Sequence, residues 1–216
     1  MGDKLYFYNQ LRGLQVADLT HPNAPQVLAR HRLPASGEQM YALNDGEYVA
    51  LFARFIDPTR NGLSSSKLRL LRIEKTQVTE TAVVDLGGAY LDSRLVGKHL
   101  YVLVSRRNLL PSRYYESKTV LISYDLDNPG APEKTDEQIF DGPGYHSTVF
   151  TATNKHLAFT TQDPANRNDQ ILRPFEIDDF SGSPAALPII RPGGRILDKF
   201  KLSFSNGVLT AISQAQ

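Results

Sequence analysis

Asp18-Leu19-Thr20-His21-Pro22-Asn23-Ala24-Pro25 returns as Asp125-Leu126-Asp127-Asn128-Pro129-Gly130-Ala131-Pro132, with five of eight positions identical at an offset of 107 residues. Self-similarity at a fixed period is the signature of repeat architectures, and this offset equals two units of about 53 residues. The middle copy has lost its prolines and lies at Leu68-Arg69-Leu70-Leu71-Arg72-Ile73. A fourth runs from Ile171 to Ile177 and is followed by Asp178, Asp179 and Pro184. Leu19, Ile73, Leu126 and Ile177 thus mark one recurring strand at spacings of 54, 53 and 51 residues. Glycine-bearing turns at Gly37, Gly87-Gly88, Gly142-Pro143-Gly144 and Gly193-Gly194 share that period, at spacings of 50, 55 and 51.

Outward from these landmarks the chain reads as short strands. Tyr6 and Tyr8 belong to the first, and Leu14 to Leu19 alternates with period two, Leu14 and Val16 facing opposite to Gln15 and Ala17. Pro22 and Pro25 cannot donate to a ladder, so they hold a loop, with Asp18 and Asn23 suited to local turn bonds. Gln26 to Leu33 is polar and Arg-rich, as suits an outer edge. A turn from Pro34 to Gly37 leads to an inner strand beginning at Met40, and Asn44-Asp45-Gly46 predicts a tight hairpin into Tyr48 to Phe52. Matching hairpins are expected around Gly97, at Asn154-Lys155 and at Asn206-Gly207, each followed by an apolar strand. No segment offers a sustained 3.6-residue apolar stripe.

The predicted fold is all-β: a β-propeller of four-stranded antiparallel blades of about 50 residues. The pattern gives one module over residues 1–216, with a partial blade at 1–36, blades at 37–86, 87–141 and 142–192, and a partial blade at 193–216. A sandwich also uses short strands, but it supplies no reason for equal spacing. The chain opens on what reads as a second strand and closes on a first and second strand. It is expected to be an excerpt of a larger propeller, the alternative being a small ring of four to five blades.

Bulk chemistry excludes several classes. There are no cysteines, which removes disulfides and thiolate metal sites, and the net charge is +1 with both signs interspersed. Nothing here predicts nucleic-acid binding or membrane insertion, and the N-terminus shows no signal peptide. No cofactor is expected.

Gly13-Leu14-Gln15-Val16-Ala17-Asp18-Leu19, running into Pro22, Pro25 and Val27-Leu28, resembles the blade repeat of secreted bacterial β-propeller proteins, the LVIVP-like repeats distantly similar to tryptophan-aspartate repeats. Ser93-Arg94-Leu95-Val96-Gly97-Lys98-His99-Leu100-Tyr101-Val102 is similar to the inner hairpin of the same group. The resemblance implies an extracytoplasmic binding or scaffolding role in the bacterial envelope, and it carries no catalytic residues.

Enzyme motifs of the elbow, zincin, phosphate-loop and dinucleotide types are absent. Propeller sites are assembled from single residues of different blades, so candidates come from position. Gln39, Asp92 with Arg94, His146, and Asp198 with Lys199 stand where inner strands begin and would meet at the mouth of a central channel. They form either a small-ligand site or a polar lining whose members pair with one another. Two long loops, 54–66 and 105–118, share that face and carry Arg54, Asp57 and Arg60, and Arg106, Arg107, Arg113, Tyr114 and Tyr115. Arg and Tyr anchor protein interfaces. The expected function is therefore non-catalytic binding of a protein or polysaccharide, of acidic character. The alternative is a hydrolase or lyase acting on sugars through Asp92, His146 and Asp198. Residues Gln162 to Gln170 read as a turn rather than a calcium loop, and His99 and His156, repeating after hairpin lysines, read as structural. If 105–118 is an exposed loop, changing Arg106, Arg107, Tyr114 and Tyr115 together to Ala leaves folding intact.

Overall fold

The computed structural model describes residues 3–54, 66–109, 115–142 and 148–215. Among them there are strands, two short 3-10 turns and no α-helix. The chain divides into two compact units, residues 1–89 with 128–132, and residues 90–127 with 133–216.

In the first unit, β1 (Lys4–Asn9), β2 (Gly13–Asp18) and β3 (Gln26–His31) form a three-stranded antiparallel sheet in sequence order. A second, four-stranded meander holds β4 (Ser36–Leu43), β5 (Tyr48–Arg54), β6 (Ser66–Glu74) and β7 (Gln77–Asp85). Consecutive strands pair because their connections are short, and antiparallel neighbours need no crossover. Leu14, Val16, Ala29 and Leu33 pack with Val49, Leu51, Ala53, Leu71 and Ile73 in one core. The alternation of β2 places Leu14 and Val16 in that core, while Gln15 and Ala17 are also buried. Val49 to Ala53 is buried at every position, which explains why β5 reads as a continuous apolar run rather than an alternating one.

The two sheets of this unit are tied by tyrosines. The Tyr6 hydroxyl donates to the Gly46 carbonyl at 2.8 Å, and the Tyr8 hydroxyl lies 2.6 Å from the Leu33 carbonyl and 2.8 Å from that of Ala35. The Tyr8 ring lies so close to Gly37 that a Cβ there would sit 2.5 Å from Tyr8 Cδ1. This corrects the expectation of a turn from Pro34 to Gly37. The strand already begins at Ser36, Gly37 pairs with Ala53, and a bulge between Gly37 and Gln39 absorbs the extra residue. The glycine is needed for the close approach of the ring.

The expected hairpin at Asn44-Asp45-Gly46 is present with a longer turn. Leu43 pairs with Tyr48, and Asn44, Asp45 and Gly46 take φ values of 48, 52 and 87°. The proline-less repeat closes instead through Lys75-Thr76, with Glu74 paired to Gln77. With no proline to remove a donor, the ladder runs to its end.

In the second unit, β8 (Ala89–Val96), β9 (His99–Leu109), β10 (Tyr115–Asp125) and β11 (Glu133–Phe140) form a four-stranded sheet. A further four-stranded sheet holds β12 (Phe150–Ala152), β13 (His156–Gln162), β14 (Gln170–Glu176) and β15 (Ala185–Ala186). β16 (Leu202–Ser205) and β17 (Val208–Ala211) pair with each other across Asn206-Gly207, whose φ values of 50 and 76° fit a two-residue hairpin turn. Between β8–β11 and β12–β15 lies an aromatic core. Phe159 stacks on Phe175 at 5.5 Å, and Phe140 and Phe150 meet Phe159 edge-on at 5.4 and 6.2 Å. Full burial of each such ring contributes roughly 1.5–3 kcal/mol. The other face of β12–β14 packs Val149, Ala158 and Leu172 on Ile196 and Leu202.

The Asp turns of the repeat close on themselves. Asp18 Oδ1 accepts from Thr20 N at 2.8 Å, Asp125 Oδ1 from Asp127 N at 2.7 Å, and Asp178 Oδ1 from Phe180 N and Ser181 N at 2.8 and 2.7 Å. Gly37→Ala is expected to lower stability by roughly 1–3 kcal/mol. Gly130→Ala, whose Cβ would meet only ordinary contacts, is expected to stay within about 0.5 kcal/mol. Denaturant midpoints compare them, and equal midpoints would show that the Tyr8 ring simply moves aside.

Candidate functional site

Asp92 and Arg94 both project from β8, two residues apart and therefore on one face of the strand. They meet: Arg94 Nη1 lies 2.7 Å from Asp92 Oδ1. Asp92 Oδ1 also accepts from the Ser93 backbone N–H at 2.8 Å. Arg94 donates further to the carbonyls of Ser93 and Phe150, and its guanidinium lies 5.3 Å from the centre of the Phe150 ring. Arg94 thus bridges β8 to β12. These are the polar partners that buried or half-buried groups require, and both bonds to Asp92 fall on Oδ1.

Asp198 has a local role. Its side chain caps the 3-10 turn Lys199–Lys201, accepting from Phe200 N at 2.9 Å. Arg54 ends β5 and lies 3.7 Å from Glu38, both partly exposed. Arg60, Tyr114 and His146 fall outside the described residues, as does the side chain of Tyr115, whose backbone opens β10 opposite Leu109. Among the candidates, the structure brings together Asp92 and Arg94.

The exposed loop expected over residues 105–118 is corrected. β9 and β10 continue as a ladder through Arg106 opposite Lys118 and Arg107 opposite Ser117, with Ser105 Oγ 3.0 Å from Ser117 Oγ. Arg106 and Lys118 are like charges directly opposite each other, and each is relieved by carboxylates, Arg106 by Glu137 and Lys118 by Glu116 and Asp141. Arg106 reaches Glu137 Oε1 on β11 at 2.7 Å, and Lys134 approaches the other oxygen at 3.2 Å. The hydrogen bond from Arg106 holds the Glu137 carboxyl below its ordinary range. Arg107 is exposed. Replacing Arg106 with Ala therefore removes a structural ion pair, so the fourfold alanine variant is not silent for folding.

The histidines pack. His99 is 1% exposed, and its Nε2–H donates to the Asp179 carbonyl at 3.2 Å, while Gly182 covers Nδ1 closely enough that a Cβ there would sit 2.5 Å away. His156 stacks on Phe204 at 5.3 Å. Beside His99, Tyr101 is buried, and burial together with the charges of Asp178 and Asp179 pushes its phenol up to about 12. Residues Gln162 to Gln170 form a self-satisfied turn, with Asp163 Oδ1 accepting from Ala165 N and Asn166 Nδ2 donating to Asp169 Oδ2. Among the described residues no three His, Asp or Glu side chains converge on a metal position, and no helix is long and apolar enough to cross a membrane. An open cleft of about 520 Å³ in the first unit is lined by Glu47, Arg72, Ile73, Glu74 and Lys75, with Arg72 and Glu74 paired at 3.2 Å.

One arrangement escaped the sequence reading. Arg173 interrupts the apolar strand Ile171-Leu172-Arg173-Pro174-Phe175 and lies partly buried on β14. Its Nε donates to Thr161 Oγ1 at 3.1 Å, its Nη2 to the Asp141 carbonyl at 3.3 Å, and its guanidinium covers Phe140 at 5.0 Å. Arg191 is held by Asp163 at 3.0 Å. A cation inside an otherwise apolar strand was the available signal.

No protein-family model matches the chain, and no curated protein matches it. Among solved structures it is similar to a "putative 6-phosphogluconolactonase" from Bacteroides uniformis, with a TM-score of 0.62 at 14% identity over 98% of this chain and 67% of that one. It also matches a second protein so described, from Bacteroides fragilis, with a TM-score of 0.42 at 14% identity over 88% of this chain and 68% of that one. A functionally unknown protein from Desulfotomaculum acetoxidans gives 0.38 at 9% identity over 88% and 80%. The first of these likenesses, with the antiparallel four-stranded meanders, defines the class: an all-β chain of the β-propeller type.

Two titrations test the electrostatics. Glu137 has a folded pKa below its unfolded value, so its contribution is present above pH 4.5 and lost as pH falls through the folded value. Arg106→Gln is expected to weaken that acid-limb dependence, read as the change in denaturant midpoint with pH. Tyr101 is raised from 10.0 to about 12, so the unfolded chain ionises first and stability falls across that interval. Tyr101→Phe should flatten that fall; an unchanged alkaline limb would place the effect elsewhere.

Proposed function

We propose that this chain is a non-catalytic β-propeller binding module for an acidic protein or polysaccharide, acting in the bacterial envelope. The observation that carries the reading is the commitment of the candidate acids: Asp92 is paired with Arg94, and Asp198 caps its own turn. A general acid or base must reach a substrate proton, and these carboxylates are bonded to the protein's own donors. Basic side chains supply the complementary surface, including exposed Arg107 on β9 and exposed Arg191 after β15. The envelope location is supported by the resemblance of the repeats to secreted propellers.

A second reading is favoured by one observation, the similarity to a "putative 6-phosphogluconolactonase" at a TM-score of 0.62. On that reading the chain is a sugar-lactone hydrolase with its site among the inner strands. A paired assay separates the two. Polygalacturonate and polyglutamate are expected to bind measurably by calorimetry while neutral dextran does not, and 6-phosphogluconolactone is expected to open no faster than in buffer. Hydrolysis above the spontaneous rate that is lost in Asp92→Asn would establish the enzyme instead. If both polyanions fail to bind, the module reading falls.

A further inference from the structure

Charged groups removed from water need a compensating charge or they raise the energy of the fold. Arg173 meets this rule only indirectly, through carboxylates that it does not bond. Its guanidinium is partly buried against Phe140, yet the acceptors it bonds, Thr161 Oγ1 and the Asp141 carbonyl, are neutral. Among the described residues it makes no ion pair. The two acids near enough to act on Arg173, Asp141 and Asp163, are engaged elsewhere: Asp141 by Lys118 at 2.6 Å and Asp163 by Arg191 at 3.0 Å. Glu116 also bonds Lys118, at 2.9 Å.

The second cation makes the feature a site. Leu172 pairs with Ile190 in an antiparallel bridge, which sets Arg191 diagonally across from Arg173 on the same face, close enough to oppose its charge, and two like charges side by side lower their energy when an anion lies between them. Both guanidiniums are held in place beforehand. Arg173 is fixed by two hydrogen bonds and an aromatic ring; Arg191 is fixed by Asp163, a buried carboxylate that is itself anchored by Ala165 N at 2.9 Å. Arginine's planar fork matches oxyanions in two-point contact, and pre-positioned donors lose little entropy on binding.

We infer that Arg173 and Arg191 form an oxyanion subsite that takes a carboxylate, sulfate or phosphate group. Phe140 and Thr161 set the Arg173 fork, and Asp163 sets Arg191. Burial, and secondarily the nearness of Arg191, holds the Arg173 guanidinium below its ordinary pKa; a bound oxyanion reverses that penalty. The subsite would give the acidic partner proposed above its point of attachment, and that link rests on the binding-module reading, whereas the subsite itself does not.

The test is a titration of the full chain followed through arginine Nε–H resonances, with inorganic phosphate, sulfate and acetate as separate arms and potassium chloride at matched ionic strength as the control. The Arg173 resonance, assigned from its loss in Arg173→Gln, is expected to shift saturably with at least one oxyanion and not with chloride. Arg191→Gln takes the cation from the buried Asp163 carboxylate, so a thermal melt is run beside it and Arg191→Lys, which keeps that charge, is the paired variant; Arg191→Gln should weaken binding about tenfold or more. An equal response to chloride, or unchanged affinity in Arg191→Gln, overturns the subsite. Polygalacturonate binding that survives Arg191→Gln undiminished overturns the link to the acidic partner and leaves the binding module standing; no polygalacturonate binding by the wild-type chain, with phosphate still bound, removes the module and keeps the subsite.

Discussion

The middle strands β5 and β13 are buried along almost their whole length, and the same holds for the first half of β9. That condition requires an apolar layer on each side of a sheet. In the second unit, Leu157 and Phe159 of β13 turn to the aromatic core shared with β9, whereas Ala158 turns to Ile196 and Leu202. A sheet with one wet face would show alternation along these strands. Their continuous apolar runs are the chemical trace of two-sided burial.

Such packing leaves polar groups the strand ends, the edges and the seams between sheets. The seams are dry enough that each polar group there needs a partner. Tyr6 and Tyr8 hold backbone carbonyls, Arg94 holds two carbonyls and Asp92, and Arg106 holds Glu137. Removing one member of such a pair strands the other, which costs more than the pair contributes. Asp92 and Arg94 are therefore explained first as stitching between strands, and a functional reading has to begin where stitching is incomplete. Arg173 is one such place in charge, since its hydrogen bonds are made to neutral acceptors.

Repetition also separates two kinds of turn. Where Asp and Pro flank the third strand, the carboxylate closes the turn on nearby N–H groups and proline stops the ladder. Where they are absent, Lys75-Thr76 closes the ladder directly. Landmark residues thus fix turn chemistry, which is why such a regular sequence says little about activity.

The sequence by itself determined the period, the strands and the turn chemistry. Apolar alternation, proline's missing donor and the Asp turn bonds act over a few residues and are written locally. It also carried the Asp92 and Arg94 pairing, since two residues apart on a strand share a face. Tertiary structure alone decided that Gly37 is an opening for the Tyr8 ring, that Arg106 belongs to a ladder and bonds Glu137 31 residues away, and that Arg173 lies beside Arg191. Those outcomes depend on which sheets face each other and on how much water is excluded between them, and no local pattern encodes either quantity.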